Sequence, residues 1–92
     1  MNKASLSNNL EQTLLEREQT HGNFDSHARI CQSIKCQMYN TDGWGHLVAS
    51  QRESLEMIAH KIARILNGNP HIHDHWHDIA GYATLVAKEL EK

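Results

Sequence analysis

Near its C-terminal end the chain reads NPHIHDHWHDIAGYATL over residues 69–85. His71, His73, His75 and His77 alternate with other residues there, and Asp74 and Asp78 sit among them. Two chemistries compete for this stretch. Imidazoles suit zinc, which takes three or four converging nitrogen or sulfur ligands. Carboxylates suit a hard ion such as Mg²⁺, which prefers oxygen and uses few protein groups. His73 and His77, four apart on a helix, could share one ion, with His71 joining from the loop before. Alternate histidines on a helix do not all point one way, however, and no cysteine is near.

The aspartates are the better candidates. On a helix starting near Asp74, the residues Asp74, Asp78, Gly81 and Leu85 lie along one row. Asp78 stands one turn inside. Gly81 costs roughly 1 kcal/mol against alanine in a helix, and such a cost marks close approach of another helix or of a ligand. The plainer role is local: Asp74 as N-cap, with both acids favoured at the positive end of the helix dipole.

A second set lies upstream in SQRESLEMIAHKIARIL, residues 50–66. Glu53 and Glu56 share a helix face with His60 and Arg64, with Lys61 at its border. The opposite face is an apolar stripe of Leu55, Ile58, Ala59, Ile62, Ile65 and Leu66 at amphipathic spacing. The plainer reading is a solvated face with an ion pair between Glu56 and His60, four apart. Glu53 would then close a capping box begun by Ser50.

Helices must position these residues. The chain has one proline, Pro70, and no strand-length run alternates β-branched with polar residues. A polar first helix is expected over 8–20, with Leu10, Leu14 and Leu15 as a thin apolar side and residues 1–9 flexible. The Gly-Asn pair in THGNFDS makes a turn. A second helix starts near Asp25 or Ser26 and runs to Tyr39, with Ala28, Cys31, Ile34 and Met38 apolar. NTDGWGH, 40–46, is a loop. A third helix runs from Val48 or Ser50 to Asn67, stopped by Gly68 as a left-handed C-cap and by Pro70. A fourth runs from Asp74 to Leu90, with Trp76, Ile79, Ala80, Ala83, Val86, Ala87 and Leu90 apolar. The expectation is an all-α bundle of three to four helices.

Ninety-two residues make one domain, and a chain of that size buries only roughly 60–65% of its unfolded surface. Disulfides, metal or oligomerisation usually make up the difference. Cys31 and Cys36 are five apart on one helix and point to different faces, so both are expected as reduced thiols, buried as small apolar groups. Oligomerisation is left. A net charge of −2 and a pI of about 6.4 argue against binding nucleic acid through phosphates. No apolar stretch approaches a membrane span, and MNKASLSNNLEQ lacks the apolar core of a signal peptide. A soluble cytoplasmic protein is expected. One tension remains: in a strict antiparallel hairpin, Glu53 and Glu56 would lie roughly 15 Å or more from Asp74 and Asp78. They converge only if the fourth helix is slanted or offset, or if another subunit contributes.

The third and fourth helices together resemble the metal-binding half of the MazG-like all-α nucleoside triphosphate pyrophosphohydrolases. That superfamily carries Glu-Glu-x-x-Glu on one helix and Glu-x-x-Asp on the next. Here RESLE matches at Glu53 and Glu56, with Arg52 in the first acid's place. DHWHD matches at Asp78, with His75 where the glutamate stands and Asp74 as substitute one place earlier. The chain is closer still to a small phage and prophage family near that superfamily. HGNF at 21–24, KIAR at 61–64 and NPHIHDHWHDIAGYA at 69–83 carry this resemblance, which extends from Leu15 to Leu90.

The resemblance implies Mg²⁺, or Mn²⁺ in its stead, on Glu53, Glu56, Asp74 and Asp78, with Glu53, Glu56 and Asp78 essential to catalysis. Lys61 and Arg64 would offset the charge of a triphosphate. Water would attack phosphorus, giving nucleoside monophosphate and pyrophosphate, in a homodimer or homotetramer. The alternative is a non-enzymatic phage protein that keeps this scaffold and binds a host or phage protein. Phe24, Trp44 and Trp76 could stack a base or pack in the core.

Overall fold

Side chains set the helix starts. Asn23 Oδ1 accepts the Ser26 N–H at 3.2 Å, opening one helix. Thr41 Oγ1 accepts the Trp44 N–H at 3.3 Å, opening a 3-10 turn. Gln51 Oε1 accepts the Val48 N–H at 3.0 Å, opening the next helix. In this computed structural model, which describes residues 3–91, the elements are α1 (Lys3–His21), α2 (Phe24–Tyr39), a 3-10 helix (Asp42–His46), α3 (Ala49–Asn67) and α4 (His73–Leu90). No strand occurs among the described residues, so the fold is all-α. α1 begins at Lys3 rather than near residue 8, and so takes in most of the segment expected to be flexible; residues 1 and 2 lie outside the described residues.

Because Gln51 closes the start of α3, the capping box expected between Ser50 and Glu53 does not form. Ser50 Oγ instead donates to Glu89 Oε2 at 2.6 Å, joining the first turn of α3 to the last of α4. Ser54 Oγ donates to the Tyr82 carbonyl at 2.8 Å. Lys61 Nζ meets Asp78 Oδ2 at 2.8 Å. These three contacts fix α3 and α4 as an antiparallel hairpin. α2 packs antiparallel on another side of α3: the Tyr39 hydroxyl donates to Glu56 at one end, and the His27 and His60 rings meet at the other, 5.6 Å between centroids. α1 touches α2 and α3 only sparsely. The Cα radius of gyration is 16.6 Å, against roughly 12 Å for a compact domain of this length. α3 is thus the central helix, and α1 extends from the bundle.

The interior is small. Cys31, Ala59 and Ala63 are its buried apolar residues, with His27, Ser54, Lys61 and His75 buried beside them. The apolar stripe expected to face the core is only partly covered. On α3, Ser54 and Lys61 meet α4, Ala59 and Ala63 are buried, Ile58, Ile62 and Ile65 are half-buried, and the ends of the stripe stay open: Leu55 is 41% exposed and Leu66 68%. Likewise on α4 the covered side is His75, Ile79, Tyr82 and Val86, while Trp76, Ala80, Ala83, Ala87 and Leu90 are exposed. Leu10, Leu14 and Leu15 of α1 are more than half exposed. Cys31 is buried as expected, but Cys36 is exposed; both are free thiols.

Two turns distant in sequence lock into each other. Gly22 takes a φ of +78°, the left-handed conformation, and its N–H closes α1 on the Glu18 carbonyl at 2.7 Å. A Cβ there would lie 2.1 Å from the Asn67 carbonyl oxygen. Gly68 is not the left-handed cap expected of it: its φ is −127° and ψ −138°. It is glycine for closeness, since a Cβ would lie 2.4 Å from the Thr20 carbonyl oxygen. Asn67 Nδ2 donates to the carbonyls of His21 (3.0 Å) and Asn23 (2.8 Å), and the Asn69 N–H donates to Thr20 O at 3.0 Å.

Gly81, by contrast, meets nothing: a Cβ there has no atom within 4 Å. The close approach expected at Gly81 does not occur within the chain. Gly81→Ala should therefore raise stability by about 1 kcal/mol through helix propensity, while Gly22→Ala should lower it by about 2 kcal/mol or more through strain and clash. Urea midpoints of the two variants check both signs; a destabilising Gly81→Ala would mean that something packs on that face of α4.

Candidate functional site

Where the end of α1, the 22–23 turn, the start of α2 and the second half of α3 meet, they enclose a cavity of about 380 Å³. α1 contributes Leu14, Arg17, Glu18 and His21, spaced three, one and three, so that one helical face lines it. Phe24 and His27 enter from α2. His60 and Arg64, four apart, enter from α3. Two guanidinium groups, three imidazoles and one carboxylate thus surround a hollow with an apolar wall. Phe24 is 80% exposed, so its ring forms part of the rim rather than the core.

The surroundings disfavour the protonated form of these imidazoles. Burial first, then the charges of His60, Arg64 and Lys35, lower the His27 value from its ordinary 6.5. For His60 burial again leads, followed by Lys35, Arg64 and Lys61, with Glu53 opposing. His21 is lowered by burial and by Arg64 and His75. His75, packed on His21 at 5.0 Å between ring centroids, is lowered by burial, Lys61 and Arg64, against Asp78 and Asp74. Two buried ring nitrogens, His27 Nδ1 and His75 Nε2, have no hydrogen-bond partner.

The residues singled out by sequence fall into separate places. Asp78 faces the bundle, where the Lys61 ammonium bonds its carboxylate and holds it below the ordinary carboxylate value. Lys61 is thereby directed at α4, away from the cavity that Arg64 lines. Glu56 accepts the Tyr39 hydroxyl, and that bond raises the tyrosine value; the expected pairing with His60 is absent. Glu53 is exposed, and Asp74 is exposed with His73 3.6 Å away. Among the described residues no three carboxylates form a group able to hold an ion. Glu53, Glu56, Asp74 and Asp78 therefore do not gather into one ion site within a single chain. The antiparallel register is the cause: it sets the start of α3 beside the end of α4.

The histidine run is divided as well. His73 and His77 stack on the surface, 5.5 Å between centroids, while His75 turns inward and His71 stays in the exposed loop. Arg52, standing where an acid was expected, braces the 3-10 turn. Its guanidinium lies 5.8 Å from the Trp44 ring centroid, and Nη2 donates to the Gly45 carbonyl at 3.3 Å. Trp44 also packs edge-on to Tyr39 at 4.9 Å. Trp76 Nε1 donates to the Pro70 carbonyl at 2.8 Å, so this ring fastens the loop before α4.

The HGNF, KIAR and DIAGYA segments and the four helices, all but the first residues of α1, lie within residues 5–90, which the model of the family DUF6378 matches. The chain belongs to that family. It is described as a domain of unknown function. No curated protein and no solved structure matches the chain. The family match thus spans every cavity residue and every carboxylate discussed above.

Sequence reasoning missed His21, His27 and Arg17 as site residues. The signal available was spacing: Arg17 and His21 are four apart, and His27 and Cys31 are four apart. Placing those faces together requires the α1–α2 turn, whose geometry depends on Asn67.

Two outcomes follow. The four folded-state histidines lie below 6.5, so the unfolded chain binds more protons as pH falls through that value. Stability should be full above it and decline from around pH 7 downward, before the carboxylates titrate. Urea midpoints at about pH 7.5 and about pH 5.5 read this directly; equal midpoints would contradict it. Asp78→Ala strands a buried ammonium, whereas Lys61→Met leaves a half-exposed carboxylate to water. The first should therefore destabilise more than the second, by the same measurement.

Proposed function

We propose that the protein binds a nucleoside triphosphate and splits it into nucleoside monophosphate and pyrophosphate, acting as an assembly of two or more copies. The observation that carries this reading is the cavity, whose wall combines the guanidinium groups of Arg17 and Arg64 with the apolar Leu14 and Phe24. Guanidinium groups recognise phosphate by paired hydrogen bonds, and an exposed aromatic ring offers a face to a base. The volume falls in the range of small-molecule sites. The resemblance to MazG-like pyrophosphohydrolases supplies the reaction class, and the phage and prophage kinship suggests a phage-encoded enzyme.

The Mg²⁺ implied by that resemblance has no complete ligand set in one chain, so this reading places its carboxylates across copies. Association has a ready cause in the partly open stripe of α3 and the exposed side of α4. A second copy covering them would supply the core that a single chain lacks. The substrate charge would be met by Arg64 from the cavity, while Lys61 holds Asp78.

A second reading has its own observation. Asp78 and Glu56 are already engaged by Lys61 and Tyr39, which favours a helical interaction protein that uses its open apolar faces to bind a partner.

Pyrophosphate release separates the two. A panel of ribo- and deoxyribonucleoside triphosphates is assayed with Mg²⁺ or Mn²⁺ and with chelator, alongside sedimentation to count copies. The enzyme reading expects chelator-sensitive release by an oligomer, and a fall of about 100-fold or more in kcat/KM for Arg64→Ala, in line with loss of a bidentate phosphate contact. No release from any nucleotide by a folded oligomer would favour the interaction protein.

A further inference from the structure

The metal-capable group that the structure does assemble was not suspected from the histidine run. His27 and Cys31, four apart on α2, share the face toward α3, and His60 faces them from α3. One ligand atom from each, an imidazole nitrogen of either histidine and the Cys31 sulfur, lie within 4.8 Å of one another. This is the one such group among the described residues. It is enclosed: Cys31 is 3% exposed and His27 7%, and His60 is half-buried. His27 Nδ1 is buried there with no hydrogen-bond partner, an unfavourable condition that a bound ion would relieve. Cys31 is a free thiol.

We propose that His27, Cys31 and His60 bind a divalent transition ion of the zinc class, with its remaining coordination position open to the cavity that His27 and His60 line. Imidazole and thiolate ligands select this class of ion over Mg²⁺ or Ca²⁺. Tetrahedral Zn–N bonds of about 2.0–2.1 Å and Zn–S bonds of about 2.3 Å put ligand atoms roughly 3.3–3.6 Å apart. The three side chains therefore draw in by about 1 Å, a movement that rotamer adjustment supplies. On binding, the Cys31 thiol gives its proton to solvent, and metal–sulfur and metal–nitrogen bonds form. Each imidazole binds through its unprotonated ring nitrogen and keeps its other N–H. Lys35 and Arg64 are close enough to oppose a cation. The thiolate reduces the net charge of the site to +1, and Glu53 acts on His60 in the favourable sense.

The ion would pin α2 to α3 at the point where the interior has alanines rather than large side chains. With three protein ligands it would also present an open position to a water or an anion in the cavity. This inference does not rest on the nucleotide reading: the site can be loaded and measured whether or not any nucleotide is turned over.

Cobalt titration tests it, because only a thiolate gives the sulfur-to-cobalt charge-transfer band. The full chain, untagged, is stripped with chelator and titrated with Co²⁺ under a non-thiol reductant. The expected result is one equivalent with that band and tetrahedral visible bands, displaced by Zn²⁺, together with a rise in Tm. Cys31→Ser and His60→Gln should each lose the band, the second at a half-buried position where folding is readily kept. Cys36→Ser and the double variant His73→Ala with His77→Ala should retain it. Absence of the band in the wild-type chain would overturn the proposal. So would a band that survives Cys31→Ser, or cobalt held without thiolate and lost on changing His73 and His77, an adventitious ion only.

Discussion

The turn at 21–23 and the turn at 67–69 hold each other, and the site depends on that grip. Gly22 adopts a left-handed conformation against the Asn67 carbonyl, Gly68 lies against Thr20 and His21, and the Asn67 amide bonds two carbonyls across the gap. No side chain larger than hydrogen fits at either glycine. This arrangement directs the end of α1 along α3 and sets His27 opposite His60. Moved by one residue, the turn would take Arg17 and His21 off the cavity wall, since a helix rotates by about 100° per residue.

α3 occupies the middle, and its three faces account for most of the chemistry. One face meets α4 through Ser54 and Lys61, a polar contact in which the buried ammonium is satisfied by Asp78. A second meets α2 through Glu56 and His60, with the small buried residues Ala59 and Ala63 on the same helix. The third is aliphatic and only partly covered, with Leu55 and Leu66 exposed. A helix that buries Ser54 and Lys61 beside its alanines while leaving Leu55 and Leu66 exposed departs in part from the pattern of an ordinary surface helix. That departure links the two ideas advanced for the protein: ligand chemistry in the interior and association through the exterior.

The helices were legible in the sequence because their punctuation is local. Tyr39, Asn67 and Leu90 end their helices where spacing and breakers placed them, and Pro70 marks the loop before α4. The faces were less legible. The stripe from Leu55 to Leu66 is the natural core by amphipathic spacing, yet only its small member Ala59 is fully buried, together with Ser54, Lys61 and Ala63 beside it. Gly68 reads as a left-handed cap from its position after a helix; its real constraint is a carbonyl some forty-eight residues earlier in the chain (Thr20), which no local rule contains. The carboxylates were correctly placed on their helices, and the warning that a hairpin would part them describes what the register does. His27 and Cys31 carried a readable spacing, but their partner His60 could be assigned only once α2 was known to lie against α3.

α1 meets the rest of the molecule chiefly through its last turns, while α2, α3 and α4 share the buried residues. Locking the 21–23 turn onto the 67–69 turn closes a long stretch of chain, and loop closure of that kind follows local helix pairing in time. The α2–α3–α4 core can therefore persist when the turn lets go. Amide protons of α1 would then exchange with solvent ahead of those of α3, and the cavity wall that α1 provides would come and go with that local opening. Occupancy of the cavity and ordering of α1 become one equilibrium, so any bound molecule would slow exchange in a helix that lies partly beyond its reach.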